Sequence, residues 1–344
     1  MQDGGKLMRN LQIFSIRSNK TLFFLLLGIL TVGAVLLSLA IGSVEIAPKQ
    51  VFMALFRQDV ASTSARIVLY TRLPRTCAAL LAGASLAVAG VVIQIVLNNP
   101  LASPSIIGVN SSAGFAVALV CALAPTAQQY TPYVAFFGAL AGVLLVMGLS
   151  QTTVAARITV VLAGMAISNL FSAGIDAVVT LVPDALNGVT DFRIGGFSGV
   201  TMVQLASAAK IILICLGILF SMSHQLDILA LGSDTARSLG LAVNSIRVVF
   251  LVLAAALAGA AVSFSGLLGF IGLIIPHIMR RLVGEESKAL LVASGLGGAF
   301  FVTICDLLAR VLFKPFEIPV GIVLAFAGAP FFLWLLFKQR GGRT

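Results

Sequence analysis

Long apolar stretches, each close to the length of a membrane-spanning helix, alternate with short polar segments along most of this chain. A helix needs about 20 predominantly apolar residues to cross a bilayer. Measured against that length, the pattern predicts an all-α polytopic membrane protein with about ten transmembrane helices. The predicted spans cover residues 22–42, 76–97, 106–124, 131–150, 155–182, 200–222, 244–264, 267–282, 289–311 and 318–337.

The composition supports this fold class. Apolar residues make up 59% of the chain and charged residues only 10%, whereas about a quarter of a soluble domain is charged. The first apolar stretch is too long for a signal-peptide core, and no small-residue cleavage site follows it. We therefore predict a tail over residues 1–21, a transmembrane domain over 22–337 and a second tail over 338–344.

The positive residues predict the orientation in the membrane. The 22 Lys and Arg residues divide into thirteen on the side of both termini, eight on the opposite side, and Lys210 inside a span. Since cytoplasmic loops carry the excess of positive charge, both termini are predicted to lie inside. The net charge of +10 thus reflects topology, and no nucleic-acid partner is predicted. Arg72, Arg75 and Arg310 flank spans on the outer side, against this rule, which suggests that they have a use.

Chemistry inside the membrane is sparse. Asp176 lies in the fifth predicted span, Lys210 in the sixth and Asp306 in the ninth, and charged residues within the membrane are functional candidates. Asp306 and Arg310 are spaced i, i+4, so they can pair on one helix face. The two histidines and four cysteines are scattered without metal-site spacing, and the thiols are predicted to be buried and free.

Nothing in the chain indicates an enzyme or a nucleotide site. A P-loop requires G-x-x-x-x-G-K-[ST], and the nearest fragment, GGKL at 4–7, does not fit it. We therefore predict no catalytic residue, no metal site and no bound cofactor in this chain.

The polar segment GSDTARSLGL, residues 232–241, predicts a miniature helix on the cytoplasmic side between spans six and seven. Ser233 is the predicted N-cap, Asp234 lies near the positive helix start, and Gly240 suits the left-handed position after the end. A helix of under two turns is marginal alone in water. We therefore expect a second protein to hold it.

Four long segments together resemble one family. The chain is similar to the permease subunits of the iron-siderophore and cobalamin ABC importers, a FecCD-like type II importer family, over roughly residues 40–337. The segments are RLPRTCAALLAGASLAVAGVVIQIVLNNPLASPSIIGV (72–109), GSDTARSLGL (232–241), GFIGLIIPHIMRRLVG (269–284) and DLLARVLFKPFEIPVGIVLAFAGAPFFLWLL (306–336).

The resemblance implies a permease of the bacterial cytoplasmic (inner) membrane that dimerises around a central pathway with a second permease subunit, either a copy or a paralogue. It implies ATPase subunits, which hold ATP and Mg, on the inside and a substrate-binding protein on the outside. The loop 224–247 would carry the coupling helix that docks on the ATPase. The coupling residues are Gly232, Asp234, Ala236, Arg237, Leu239 and Gly240.

On the outer face, the resemblance implies that Arg72, Arg75 and Arg310 receive acidic side chains of the binding protein. Pairing within the chain or with lipid headgroups is the alternative for these three arginines. Charge-assisted pairs suit a contact that must form quickly and release.

Two segments depart from the family pattern. Asn98 in LNNPLA replaces a residue that is commonly basic, and the stretch DFRIGGFSG at 191–199 lacks the usual Trp. That stretch is predicted to face the pathway mouth with Arg193 and Phe197, where Arg193 either meets an anionic ligand or pairs with Asp191. Because cargo should pass through this mouth, the missing Trp affects the prediction of which cargo is carried.

The predicted cargo is a ferric siderophore or a similar metal chelate, and cobalamin, haem or an oxyanion are the alternatives. A stand-alone secondary carrier, the rival from another class, would work without an ATPase and depend on Asp176 or Asp306. A scaffold or assembly factor would show no flux at all.

Overall fold

The computed structural model describes residues 20–42, 44, 46–57, 62–150 and 156–340, and all regular structure in these ranges is helical. The α-helices are α1 Lys20–Ala40, α2 Pro48–Arg57, α3 Thr63–Ile67, α4 Leu73–Leu97, α5 Val109–Leu123, α6 Thr131–Ser150, α7 Ala156–Leu181, α8 Leu186–Ile194, α9 Met202–Ser221, α10 Ser223–Ala230, α11 Ser233–Ser238, α12 Val243–Ser265, α13 Ile271–Val283, α14 Ser287–Val311 and α15 Val320–Arg340. A π-helical segment, Val68–Arg72, joins α3 to α4 without a break.

The predicted all-α membrane architecture is confirmed, and each of the ten predicted spans corresponds to one helix. Among the described residues, seven helical segments are long and apolar enough to cross a membrane: α1, α3 with α4, α6, α7, α9, α12 and α14. Helices α5 and α15 carry shorter apolar stretches, and α13 has 13 residues. The count of ten spans and the orientation remain predictions. The predicted tails fall mostly on residues 1–19 and 341–344, which lie outside the described residues.

Helix α4 forms the centre of the bundle, with 83% of its most apolar window buried. Its small residues explain this position, because they let other backbones approach closely in lipid. A Cβ atom at Gly83 would overlap the backbone of Gly298 in α14, and one at Gly90 would overlap the backbone of Gly272 in α13. The peripheral helices α1, α7 and α9 bury only 28%, 22% and 28% of the corresponding windows.

The chain between α12 and α13 leaves helical conformation inside the bundle. Gly266 has a φ of 65° and Phe270 a φ of 67°, and α13 then starts beside Gly90 in the interior of α4. Non-helical backbone at membrane depth is tolerated where protein buries it or where it lines a water-filled cavity. Here the amide of Leu267 donates to the carbonyl of Phe192 at 2.9 Å, so this segment is fastened to the end of α8.

Helix α12 connects the two ends of the bundle. With 23 residues it is about 35 Å long. It begins just after α11 and ends at Ser265, whose carbonyl accepts the amide of Gly196 at 2.8 Å. We call the end that contains Arg72, Arg75 and Arg310 the arginine end, and the opposite end the α11 end.

Asn98, the departure from the family pattern, has a local structural reason. It ends α4 with a φ of 48°, a left-handed conformation that Asn tolerates better than most residues. The amide of Asn98 donates to the carbonyl of Ile95 at 3.1 Å, and that of Asn99 to the carbonyl of Gln94 at 3.0 Å. This pair of bonds is the Schellman motif that closes a helix.

The Gly83–Gly298 contact generates a stability prediction. Gly83→Ala and Gly298→Ala should each lower the stability of the protein by about 1–3 kcal/mol, because an extra methyl overpacks a tight contact. Thermal unfolding of the detergent-purified protein measures this change. Gly28→Ala and Gly33→Ala in α1 are the matched controls, since nothing lies within 4 Å of a Cβ atom at either position. Equal losses in all four variants would contradict the proposed importance of the contact.

Candidate functional site

Three arginines and two carboxylates meet at the arginine end. Arg72, Arg75 and Arg310 are 4%, 7% and 2% exposed, and Asp306 is fully buried. The fifth member, Glu317, lies in the loop before α15 and keeps 34% of its side chain exposed. The cluster therefore holds one more positive than negative charge.

Arg72 stabilises the end of α1. Its Nη1 donates to the carbonyls of Leu39 at 2.8 Å and Ala40 at 2.7 Å, and its Nη2 donates to the carbonyl of Val44. The last carbonyls of a helix have no partner within the helix and carry its partial negative charge. A guanidinium therefore suits this position.

Arg310 has a similar role and also binds Asp306. Its Nη1 donates to the carbonyl of Ser38 at 3.1 Å and its Nη2 to the hydroxyl of Ser38 at 2.5 Å. Its Nε lies 3.1 Å from Oδ2 of Asp306. The predicted i, i+4 pair on one helix face is thus confirmed.

Arg75 differs from the other two because both of its side-chain partners are carboxylates. Its Nε donates to Oδ1 and Oδ2 of Asp306 at 3.0 and 3.2 Å, and its Nη1 donates to Oε2 of Glu317 at 2.6 Å. These contacts join α4, α14 and the loop before α15. The three arginines thus adopt the intra-chain pairing that the sequence left as the alternative, while their role in docking a partner remains a prediction.

A cavity of about 490 Å³ opens beside Arg75 and Glu317. Its walls come from the end of α8 and the following loop, the end of α12, and the loop before α15. Phe197, predicted at the pathway mouth, lines this cavity and is 1% exposed. Asp191 also lines it, whereas Arg193 points elsewhere.

Arg193 pairs with Asp176, and the suggested pairing with Asp191 is wrong. The Nη1 atom of Arg193 lies 3.6 Å from Oδ1 of Asp176, and both side chains are more than half exposed. Asp176 belongs to a polar stripe on α7. The exposed residues Asn169, Ser172, Asp176 and Thr180 recur at helical spacing on one face. A polar face on a membrane-spanning helix requires water or another protein opposite it.

The short helix predicted in GSDTARSLGL is present as α11, Ser233–Ser238. Gly240 has a φ of 83°. Its amide donates to the carbonyl of Arg237 at 2.9 Å, and the amide of Leu241 donates to that of Ala236 at 3.0 Å. These bonds form a Schellman motif, so the predicted role of Gly240 is confirmed.

The predicted N-cap of α11 is wrong. Gly232, with a φ of 103°, occupies that position, and Ser233 is the first helical residue. The hydroxyl of Ser233 accepts a hydrogen bond from Nη2 of Arg247 at 3.1 Å. This contact holds α11 against the first turns of α12. The hydroxyl of Ser233 thus bonds to a side chain of another helix instead of capping its own.

The six predicted coupling residues form one small unit at the α11 end. Ala236 is fully buried beneath the helix, whereas Leu239 is 59% exposed at its end. Asp234 and Arg237 point outward and lie 3.9 Å apart at their charged atoms. The surface of α11 therefore combines one apolar side chain with one charge of each sign.

Sequence reasoning did not identify Glu317 or Ser38 as site residues. Glu317 lies in FEIPVG, within the segment 306–336 that carries part of the family resemblance. It could have been found as a carboxylate in a loop predicted on the same side of the membrane as Arg72, Arg75 and Arg310. Ser38 lies near the end of the first span and gave no signal of its own. The four cysteines are free, as predicted; Cys121, Cys215 and Cys305 are also buried as predicted, whereas Cys77 is only half-buried. No cluster of three or more His, Cys, Asp or Glu residues occurs among the described residues.

Comparison with known proteins gives a consistent result. A family model described as the FecCD transport family matches residues 29–338. The Fe(3+)-citrate import system permease protein YfmE of Bacillus subtilis is 36% identical over 321 residues, which cover 93% of this chain and 96% of that protein. The hemin transport system permease protein HmuU of Yersinia pestis is also 36% identical, over 93% of this chain and 97% of that protein.

A solved structure shares the fold over nearly the whole chain. It is described as an inward-facing conformation of a transporter assigned to the metal-chelate type of ABC transporter. The match has a TM-score of 0.79 and 30% sequence identity, and it covers 93% of this chain and 100% of the other.

The buried ion pairs generate a second stability prediction. Asp306→Asn should destabilise the protein by about 3–5 kcal/mol, because it leaves Arg75 and Arg310 buried with one carboxylate fewer. Asp176→Asn is the matched control, since it breaks an exposed pair worth about 1 kcal/mol or less. Thermal unfolding in detergent compares the two. Similar shifts in melting temperature would show that the buried ion pairs of Asp306 contribute no more to stability than the exposed pair of Asp176.

Proposed function

This chain belongs to the FecCD transport family, and we propose that it is the membrane-spanning permease subunit of an ATP-binding-cassette importer. Its cargo is a ferric siderophore or a similar metal chelate, which it moves into the cytoplasm across the bacterial inner membrane. A separate ATPase drives transport, and an extracytoplasmic binding protein delivers the cargo. This chain performs no bond chemistry and binds no cofactor; ATP and Mg belong to the ATPase.

The observation that carries the proposal is the exposed surface of α11. A six-residue helix closed at both ends by glycines with positive φ has a defined shape, yet Leu239 at its end stays 59% exposed among the residues that the structure describes. Such a helix suits a groove in a partner protein. Since α12 starts five residues after α11 and reaches the cavity at the other end, a displacement of α11 is transmitted along about 35 Å of helix.

The polar stripe on α7 supports a second permease subunit. Asn169, Ser172, Asp176 and Thr180 are exposed on the outside of the single chain, and polar side chains of this kind, one of them charged, are costly against lipid. A second permease placed opposite α7 would enclose these residues around a hydrated pathway. Alternating access then follows from rocking of the two bundles.

The cargo is assigned from the relatives and from the wall of this pathway. Hydroxyl and amide groups dominate the stripe, and the single charged pair on it is neutral overall. Such a wall binds a large polar chelate weakly, so selectivity lies mainly in the binding protein. Because a citrate-chelate permease and a hemin permease are equally identical to this chain, haem remains the main alternative and cobalamin the next.

Association with the ATPase is the first testable consequence. Affinity purification from the native membrane, followed by mass spectrometry, should recover an ATPase chain and any second permease. Gly240→Pro should abolish ATPase recovery, because proline cannot adopt the positive φ and lacks the amide of the Schellman motif. Gly199→Pro is the control: Gly199 also has a positive φ of 76°, but it lies at the arginine end. ATPase recovery unchanged in Gly240→Pro would refute the coupling assignment.

The energy source separates an ABC importer from a secondary carrier. In proteoliposomes that contain the purified complex and its binding protein, uptake of radioactive ferric chelate should require internal ATP and persist when ionophores collapse ion gradients. Ferric citrate, a ferric hydroxamate and haem are compared in parallel to identify the cargo. A carrier would instead stop when gradients collapse and lose activity in Asp176→Asn, since Asp306 is held between two arginines. Uptake by this chain alone would refute the proposal.

A further inference from the structure

We propose that Glu317 is an exchangeable internal ligand of Arg75, which leaves when an acidic side chain of the binding protein takes its place. This inference rests on the proposed function, because it requires that a binding protein docks at the arginine end. In this role Glu317 occupies Arg75 until the partner arrives and competes with the partner's carboxylate for the guanidinium.

Arg75 is the member of the arginine cluster that can exchange a ligand. Arg72 is occupied by backbone carbonyls at the end of α1. Arg310 is held by Asp306 and by Ser38, and both of these partners are fully buried. Releasing either guanidinium would expose the end of α1 and break contacts that no docking partner replaces.

The two carboxylates bound to Arg75 are not equivalent. Asp306 is fully buried and accepts from Nε, on the side of the guanidinium that faces α14. Glu317 is one-third exposed, lies in a loop and accepts from Nη1. A charge-assisted bond between a partly exposed carboxylate and Nη1 can be replaced by an equivalent bond from another carboxylate. Asp306 meanwhile keeps the guanidinium in position.

The cavity gives the incoming carboxylate a route. Arg75 and Glu317 both line the 490 Å³ space at the arginine end, so a side chain inserted there comes next to both partners of this ion pair. The cluster carries one excess positive charge with Glu317 in place. Displacing Glu317 towards water raises the excess positive charge of the cluster, and the partner's carboxylate lowers it again. An acidic partner is therefore favoured over a basic or neutral one.

Release of Glu317 would also act on the rest of the molecule. Three residues later α15 begins, and its first turn is fastened to the opposite wall of the cavity: the amide of Gly321 donates to the carbonyl of Gly195 at 3.3 Å. A Cβ atom at Gly321 would overlap the carbonyl oxygen of Ile194. Movement of the loop before α15 therefore reaches both α15 and the segment after α8, so docking and opening of the cavity are mechanically linked.

The test measures how tightly the binding protein docks. The complete complex, with its ATPase, is placed in nanodiscs, and biolayer interferometry measures the affinity of the same binding protein that is used in the proteoliposome assay. Glu317→Gln should tighten docking by about fivefold, because the internal competitor loses its charge. Asp191→Asn is the matched control: it removes the same charge from the lining of the same cavity, but Arg75 does not bind Asp191. It should change affinity less than about twofold.

A double-mutant cycle locates the exchanging group. Each acidic residue on the docking face of the binding protein is neutralised in turn and tested against the wild-type and Glu317→Gln complexes. We expect one acid whose neutralisation removes the gain produced by Glu317→Gln. The proposal is overturned if Glu317→Gln matches Asp191→Asn, or if the gain survives neutralisation of every acid.

Glu317→Ala provides a second variant for the same measurement and should tighten docking in the same direction. If neither Glu317 variant assembles with the ATPase, the carboxylate is needed for folding and is not exchangeable, which also overturns the proposal. A wild-type complex that recovers no ATPase and binds no binding protein would instead refute the proposed function. A wild-type complex that docks normally while both Glu317 variants behave like Asp191→Asn would refute only the exchange.

Discussion

The close crossing of α4 and α14 at Gly83 and Gly298 sets the register on which the rest of the molecule depends. The two helices are antiparallel, since α4 starts at the arginine end and α14 finishes there. Arg75 lies eight residues before Gly83, and Asp306 lies eight residues after Gly298, about 12 Å along each helix axis. The crossing therefore brings the guanidinium and the carboxylate to the same level. A side chain at either glycine would part the helices and weaken the pairing of a fully buried charge.

The requirement that backbone polar groups be satisfied inside a membrane explains the second main feature. The chain breaks between α12 and α13, where the amide of Leu267 donates to the carbonyl of Phe192 at the end of α8. Within α13, Pro276 has no amide to offer the carbonyl of Gly272, and Nε2 of Gln94 in α4 donates to that carbonyl at 3.2 Å instead. The contact between Leu267 and Phe192 joins two walls of the cavity. The cavity, the start of α15 and the arginine cluster thus form one mechanical unit, which α12 connects to α11.

Two surfaces of the single chain are incomplete by themselves. The polar stripe on α7 is exposed on a membrane-spanning helix, and Leu239 at the end of α11 is 59% exposed. They lie in different parts of the molecule and differ in chemistry, so different partners would complete them. A permease that works within a larger assembly is the simplest physical explanation for both surfaces, and the relatives of this chain are permease proteins of import systems.

The sequence by itself determined the features that depend on neighbours along the chain. Apolar stretches of membrane length predicted the helices, i, i+4 spacing predicted the bond between Asp306 and Arg310, and a glycine after a short polar run predicted the end of α11. Each of these depends on helix periodicity or on the φ of one residue. Only the tertiary structure decided that Arg75 binds Glu317, 242 residues away, that Arg193 binds Asp176, and that Arg247 uses the hydroxyl of Ser233. Such pairs depend on how the helices cross, and the crossings depend on close backbone contacts such as Gly83 with Gly298, which periodicity along one chain does not specify.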